Sequence, residues 1–281
     1  MPALRLAIVQ LNAGDDVAAN IEKAVTMGAE AARGADLVVF PEYVQYRGTP
    51  DGFRASAAPV PGPTSAPFGA LAHTMGAWVL GGSHAERSGD PDRPYNTAVL
   101  FDREGRLTAR YRKLHLFDVR VDDGPSDMES ARVTPGDRAV VAPVEGVAVG
   151  FSICYDLRFP ELYRALSLAG AEVLAVPAVF TARTGEAHWE PLLRARAIEN
   201  GAWVVAAAGC GEGGEGAIPA WGHSMVVDPW GRVVAQLGGD EGILRAEIDM
   251  DAVAAARRQI PALRNRRPDA LPPAREVEVL P

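Results

Sequence analysis

The sequence predicts an α/β layered fold. Three observations carry that expectation. Short apolar runs of strand length alternate with segments of helical period almost from the first residue. Hydrophobic residues make up 48% of the 281, enough to fill a large core. No change of composition marks a linker and no repeat is visible, so residues 1–281 read as a single domain.

Taken in order, LRLAIVQ (Leu4–Gln10) is the first strand. Asp15 or Asp16 is placed to cap a helix in which Ile21, Val25, Gly28 and Ala32 share a face, and Gly34 ends it. Leu37–Phe40 is a strand of the buried type, closed by Pro41. Tyr46–Pro67 is rich in Pro and Gly and reads as a loop running into a helix over Thr64–Met75. Further strands are expected at Trp78–Gly82, Asn96–Phe101, Val147–Ile153, Val173–Val176, Trp203–Ala208, Ser224–Val227, Val233–Gln236 and Leu244–Ile248. Helices are expected at Pro160–Ala169, Ala187–Asn200 and Asp251–Gln259. The end, residues 261–281, is Pro-rich without helical period and reads as a tail or as an arm packed on another subunit.

Charge and cysteine content narrow the function. The formal net charge is -8 and no basic block outweighs the acids, so neither nucleic acid nor a membrane surface is expected as partner. The longest apolar runs, such as AWVVAAAGC, are about half the roughly 20 residues of a membrane helix. Cys154 and Cys210 show no CxxC spacing and read as thiols of a reducing compartment. With no leader-like pattern in MPALRLAIVQ, the expected location is the cytoplasm.

Several chemistries lack their residues. GEGGEG (Gly211–Gly216) matches a dinucleotide pattern, but Pro219 and another strand follow where a helix should begin, so it reads as a loop. The five histidines form no ligand motif, so no metal site is expected. GHSMV lacks the last glycine of a serine-hydrolase elbow.

GFSICYDLRFPELY offers something else. Cys154 ends an apolar run and is followed by a turn and by a helix from about Pro160. It is either a small core residue or a nucleophile. A nucleophilic thiol needs a base or a cation nearby. LVVFPEY places Glu42 just past a strand, as a surface turn residue or a group at a pocket rim. ARYRKLHLFD places Lys113 in an alternating segment, as a solvated strand residue or a cation of the site. Parallel strands gather such ends on one edge of a sheet, where the three would meet.

VVFPE, YRKLHLF and GFSICYDLRFPE, in that order, resemble the motifs of the nitrilase superfamily, the carbon–nitrogen hydrolases. The resemblance runs from LAIVQ to the region near RRPD. It implies a four-layer α-β-β-α sandwich, a homodimer or larger with the C-terminal segment reaching across the partner, and no metal or organic cofactor. It implies Glu42 as general base, Lys113 as transition-state stabiliser and Cys154 as nucleophile. Glu129, in DMESARVTPGD, matches a second glutamate that orients the lysine and helps proton transfer. The Tyr155 backbone N–H completes an oxyanion hole.

TGEAHWEPLLRARAIENGAWVVAA and WGHSMVVDPWGRVVA are similar to the small-amide branch, omega-amidases and deaminated-glutathione amidases. That implies a linear amide substrate bearing a carboxylate, with ammonia released. Arg158 and Arg183 are the candidate cations for the carboxylate, and Tyr46 is placed to line the entrance. PEYVQY departs from the small or apolar residues more usual after PE. His115, on the same side of its strand as Lys113, reads as a packing residue. The alternatives are a nitrilase or an N-carbamoyl-amine amidohydrolase of the same superfamily, or a silent member that binds a small ligand or a partner.

Overall fold

The computed structural model describes residues 3–122 and 126–270. In chain order the elements begin with β1 (Leu4–Gln10), α1 (Val17–Ala31), β2 (Leu37–Val39), α2 (Pro50–Ala55), α3 (Ala66–Met75), β3 (Trp78–Glu86), β4 (Tyr95–Phe101) and β5 (Leu107–Arg112). Two short strands follow, β6 (Asp118–Arg120) and β7 (Ser126–Met128), then β8 (Val141–Val144) and β9 (Val147–Phe151). The second half holds α4 (Pro160–Leu168), β10 (Val173–Ala178), α5 (Ala182–Asn200), β11 (Trp203–Ala208), β12 (Cys210–Gly211) and β13 (Ala220–Trp221). It ends with β14 (Met225–Val227), β15 (Val233–Gln236), β16 (Gly242–Ile248) and α6 (Asp251–Gln259). Of the expected arm over 261–281, residues 271–281 lie outside the described residues.

Two six-stranded sheets form the middle of the molecule, ordered β16-β1-β2-β3-β4-β5 and β15-β14-β11-β10-β9-β8. Strand parity shows how they stack. Leu4, Leu6 and Ile8 of β1 join a core shared with Val149, Val205 and Met225 of the second sheet. Ala7 and Val9 turn the other way, onto Ala24 of α1 and Leu71 of α3. On the outer face of the second sheet, Leu162 and Leu166 of α4 and Leu193 of α5 are buried. The result is the four-layer α-β-β-α sandwich. No helix among the described residues is long and apolar enough to cross a membrane.

Where elements depart from expectation, local packing or capping explains it. The buried face of α1 is Asn20, Ala24, Gly28 and Ala31, offset from Ile21 and Val25. A Cβ at Gly28 would lie 2.6 Å from both Phe40 and Leu71, so this helix docks on small residues. The expected loop over 46–67 contains α2, begun by Pro50 and capped by the Thr49 side chain. Helix α5 starts at Ala182, five residues before the expected Ala187, because Thr181 caps it. Strand β9 stops at Phe151, and β8 joins it as a hairpin through Glu145 and Gly146.

Candidate active site

Glu42 lies past the end of β2, beyond Phe40 and Pro41. The neighbouring strand β3 makes room by a register shift between Leu80 and Ser83. Gly82 there has φ 69°, and a Cβ on it would sit 2.2 Å from the Pro41 carbonyl oxygen. Only glycine lets the strand pass so close.

Lys113 follows β5, and parity decides where it points. Tyr111 is buried between the sheets, while Arg110 and Arg112 turn outward to Glu86. Lys113 has the parity of Tyr111 and is 2% exposed. A solvated strand lysine is therefore not what this position holds.

Cys154 opens a tight 3-10 turn, Cys154–Arg158, separated from the end of β9 by two residues. Its φ of 47° is left-handed, uncommon for a residue with a side chain. Asp156 holds the turn. Its buried carboxylate accepts from Ile153 N at 2.8 Å, Tyr111 OH at 2.7 Å and His115 N at 3.0 Å. His115 Nδ1 lies 2.7 Å from the same group, and its ring stacks on Phe159. The first N–H groups of such a turn have no partner within it, and Tyr155 N–H is one of them.

Glu129 arrives on a second 3-10 turn, Glu129–Ala131, after β7. The Lys113 ammonium donates to Glu42 Oε1 at 3.0 Å and to both Glu129 oxygens at 3.1 and 2.9 Å. Glu42 also accepts from Asn96 Nδ2 at 2.9 Å and from Val179 N at 2.8 Å. Cys154 Sγ lies 3.6 Å from Val179 O. The four polar side chains that the sequence singled out, from four separate stretches, thus meet at one place.

Burial and charge set their ionisation. Burial pushes the Glu42 carboxyl above the usual range, and neighbouring Glu129 adds to it against the pull of Lys113. Burial acts the same way on Glu129, but Lys113, the Tyr43 hydroxyl and Phe117 N–H outweigh it and hold Glu129 below the usual value. Burial opposes charge on Lys113, yet the two carboxylates keep it firmly cationic. Burial, then Glu42, pushes the Cys154 thiol well up. At neutral pH the resting group is a thiol, and it needs a base to become a nucleophile.

These groups line one cavity of about 310 Å³, with Tyr43, Tyr46, Phe117, Tyr155, Arg158 and Phe180 among its walls. That volume suits a small molecule. Arg158 lies against Tyr155 and Phe180, its Nη1 3.3 Å from His188 Nδ1. Arg183 is not brought to the cavity; its Nη2 is 3.4 Å from Asp122 O. Among the described residues no group of three His, Cys, Asp or Glu is arranged to hold a metal ion.

Residues 5–258 match the carbon-nitrogen hydrolase family. The chain belongs to that family. Human omega-amidase is 37% identical over 270 residues, 96% of this chain and 97% of its own. Deaminated glutathione amidase of Bos taurus is 41% identical over 272 residues, 94% of this chain and 82% of its own. The C. elegans NitFhit protein superposes with a TM-score of 0.86 at 34% identity, over 97% of this chain and 67% of that one. A mutant of the amidase from Nesterenkonia sp. AN1, with acrylamide added at its active-site cysteine, gives 0.76 at 28% identity, over 92% and 98%.

In this carbon–nitrogen hydrolase the cavity also holds groups that the sequence reading passed over. Tyr43 donates to Glu129, and Val179 touches both Glu42 and Cys154 through its backbone. Asn96, a polar residue inside the apolar strand YNTAVLF, carried a signal that was there to be read. Arg47 is buried and binds the carbonyls of Cys210, Gly211 and Ile218, pinning the GEGGEG hairpin against the cavity. The loop expected at GEGGEG is thus a cavity wall, with Gly216 lining it.

Proposed function

We propose that this protein is an amidase that hydrolyses the carboxamide of a small, linear, carboxylate-bearing amide through a Cys154 thioester and releases ammonia. The carrying observation is the meeting of Glu42, Lys113 and Cys154 in one cavity with Arg158 on its wall. Among the described residues no carboxylate pairs with Arg158, so its charge is available to a substrate carboxylate. The names of the two relatives, omega-amidase and deaminated glutathione amidase, support the same substrate class.

In this reading Glu42 takes the thiol proton as Cys154 Sγ attacks the amide carbon. The Lys113 ammonium and the Tyr155 N–H hold the oxyanion. Glu42, now an acid, gives its proton to the departing nitrogen, and ammonia leaves a thioester. Water then donates a proton to Glu42 and its oxygen attacks the thioester. The thiolate departs, recovers that proton from Glu42, and the free acid leaves. Glu129 keeps Lys113 in place and charged. No cofactor enters any step. Tyr46 borders the entrance, with its hydroxyl 3.4 Å from Thr49 Oγ1.

The reading extends to the whole chain as one cytoplasmic domain that pairs with itself, with residues 261–281 as an arm. Exposed Leu168, Ile198, Trp230 and Ile260 support association. The two free, buried thiols fit a reducing compartment.

The test is ammonia release from 2-oxoglutaramate and from deaminated glutathione, by wild type and Cys154→Ala. Release by wild type alone is the expected result and selects the substrate. Turnover surviving in Cys154→Ala would sink the mechanism.

A further inference from the structure

Glu42 and Tyr43 are adjacent in sequence, yet both line the cavity. In extended backbone, neighbours point to opposite faces. Here Tyr43 has φ 53°, a left-handed conformation that an aromatic residue adopts only when its surroundings hold it there. Three contacts do so. Its N–H donates to Ser83 Oγ at 3.0 Å, its ring meets Phe53 edge-on at 5.1 Å, and its hydroxyl donates to Glu129 Oε1 at 2.5 Å.

That last bond completes the set of donors on Glu129. The carboxylate already accepts from Lys113 through both oxygens and from Phe117 N at 2.6 Å. A carboxylate with this many donors is a poor base. Glu42 binds the same ammonium through one oxygen only. The charged and titratable groups around the phenol are Glu129, Lys113, Glu42 and Arg132, the last paired with Asp127. Cys154 in turn neighbours Glu42.

We propose that Tyr43 is a positioning residue: its phenol holds Glu129 as an anion against Lys113 and so leaves the proton traffic of the reaction to Glu42. The inference rests on the reading of Glu42 as base. It explains why an aromatic residue follows Pro41–Glu42, where the sequence departs from the smaller residues expected.

The experiment compares wild type and Tyr43→Phe in two assays across pH. One is amide hydrolysis; the other is alkylation of Cys154 by iodoacetamide, followed by mass spectrometry. The active form needs both carboxylates ionised. In wild type that limb belongs to Glu42, the carboxylate raised by burial; losing the phenol lifts Glu129 until it competes with Glu42 for the first proton, and the acid limb of both profiles moves up. kcat falls roughly tenfold or more at neutral pH, while KM stays within about twofold. Phe53→Leu, which loosens the ring but keeps the phenol, leaves the limb in place.

Site-specific 4-fluorophenylalanine at position 43, nearly the same shape as tyrosine but without a donor, moves the limb up as well and serves should Tyr43→Phe not fold. An acid limb unchanged in both Tyr43 variants overturns the proposal, as does an equal shift in Phe53→Leu. If no amide is hydrolysed, the function proposed above fails, and the alkylation profile still decides the role of Tyr43.

Discussion

Glu129 holds the Lys113 ammonium with both carboxylate oxygens, at 3.1 and 2.9 Å, whereas Glu42 reaches it with one, at 3.0 Å. Two anions share one buried cation, and they share it unequally. Glu129 is the partner that keeps the lysine charged. Glu42 is left with an oxygen near the thiol and a proton affinity raised by burial.

Substitution separates the two carboxylates. Glu42→Gln should cost roughly a thousandfold in kcat, as expected for losing a general base. Its urea midpoint should stay near wild type, because Glu129 still neutralises Lys113. Glu129→Gln should lose activity and also about 3 kcal/mol of stability, since the main partner of a buried cation is gone. Urea melts of both variants beside turnover check this. Equal loss of stability in the two would refute the asymmetry.

How legible this was depends on range. Strand β1 was readable to the residue, because LRLAIVQ is a mostly apolar run of strand length. Glu42, Lys113 and Cys154 could be picked out because each follows a strand pattern and carries a chemistry that needs the others. Tyr43 could not, since its role depends on a left-handed backbone angle and on Glu129, 86 residues away. Helix α2 was hidden for another reason: its Pro and Gly content mimics a loop, while its start is set by Thr49 and Pro50. Arg183 looked as good as Arg158 in sequence, and only the cavity tells them apart.

Asp36 should give the fold a pH-dependent increment. Its carboxyl is lowered to about 2, first by the Arg5 side chain, against burial and with help from Arg103. A depressed carboxyl contributes stability above its unfolded value, near 3.8, and loses it as pH falls toward 2. Asp36→Asn should therefore melt below wild type at pH 7, with the gap narrowing below about pH 4. Thermal melts over that range decide the point. A gap that stays constant with pH would mean that packing, not charge, is lost.

The two thiols should react at very different rates. Cys154 lines the cavity, whereas Cys210 is 1% exposed, away from it, with its thiol pushed up to about 11 by burial. Iodoacetamide, itself a small amide, should label Cys154 alone at neutral pH, and Cys154→Ala should take up none on the same time scale. Peptide mass spectrometry reads the site. Labelling of Cys210 at a comparable rate would show that the cavity does not govern thiol reactivity.

Arg158 should govern which amides are accepted. Its guanidinium stands beside Phe180, 5.1 Å from the ring centroid, and four residues after the nucleophile. A charge-assisted hydrogen bond to a substrate carboxylate is worth about 1.5–3 kcal/mol. Arg158→Gln should thus lower kcat/KM for carboxylate-bearing amides roughly ten- to a hundredfold, mainly through KM. A neutral amide such as propionamide makes no such bond, so its kcat/KM should stay within about twofold of wild type. Arg158→Lys should fall between, since an ammonium keeps the charge but not the fork. If charged and neutral amides lose equally, Arg158 is shaping the turn that carries Cys154 rather than meeting the substrate. Its contact with His188 would then be the place to look for that support.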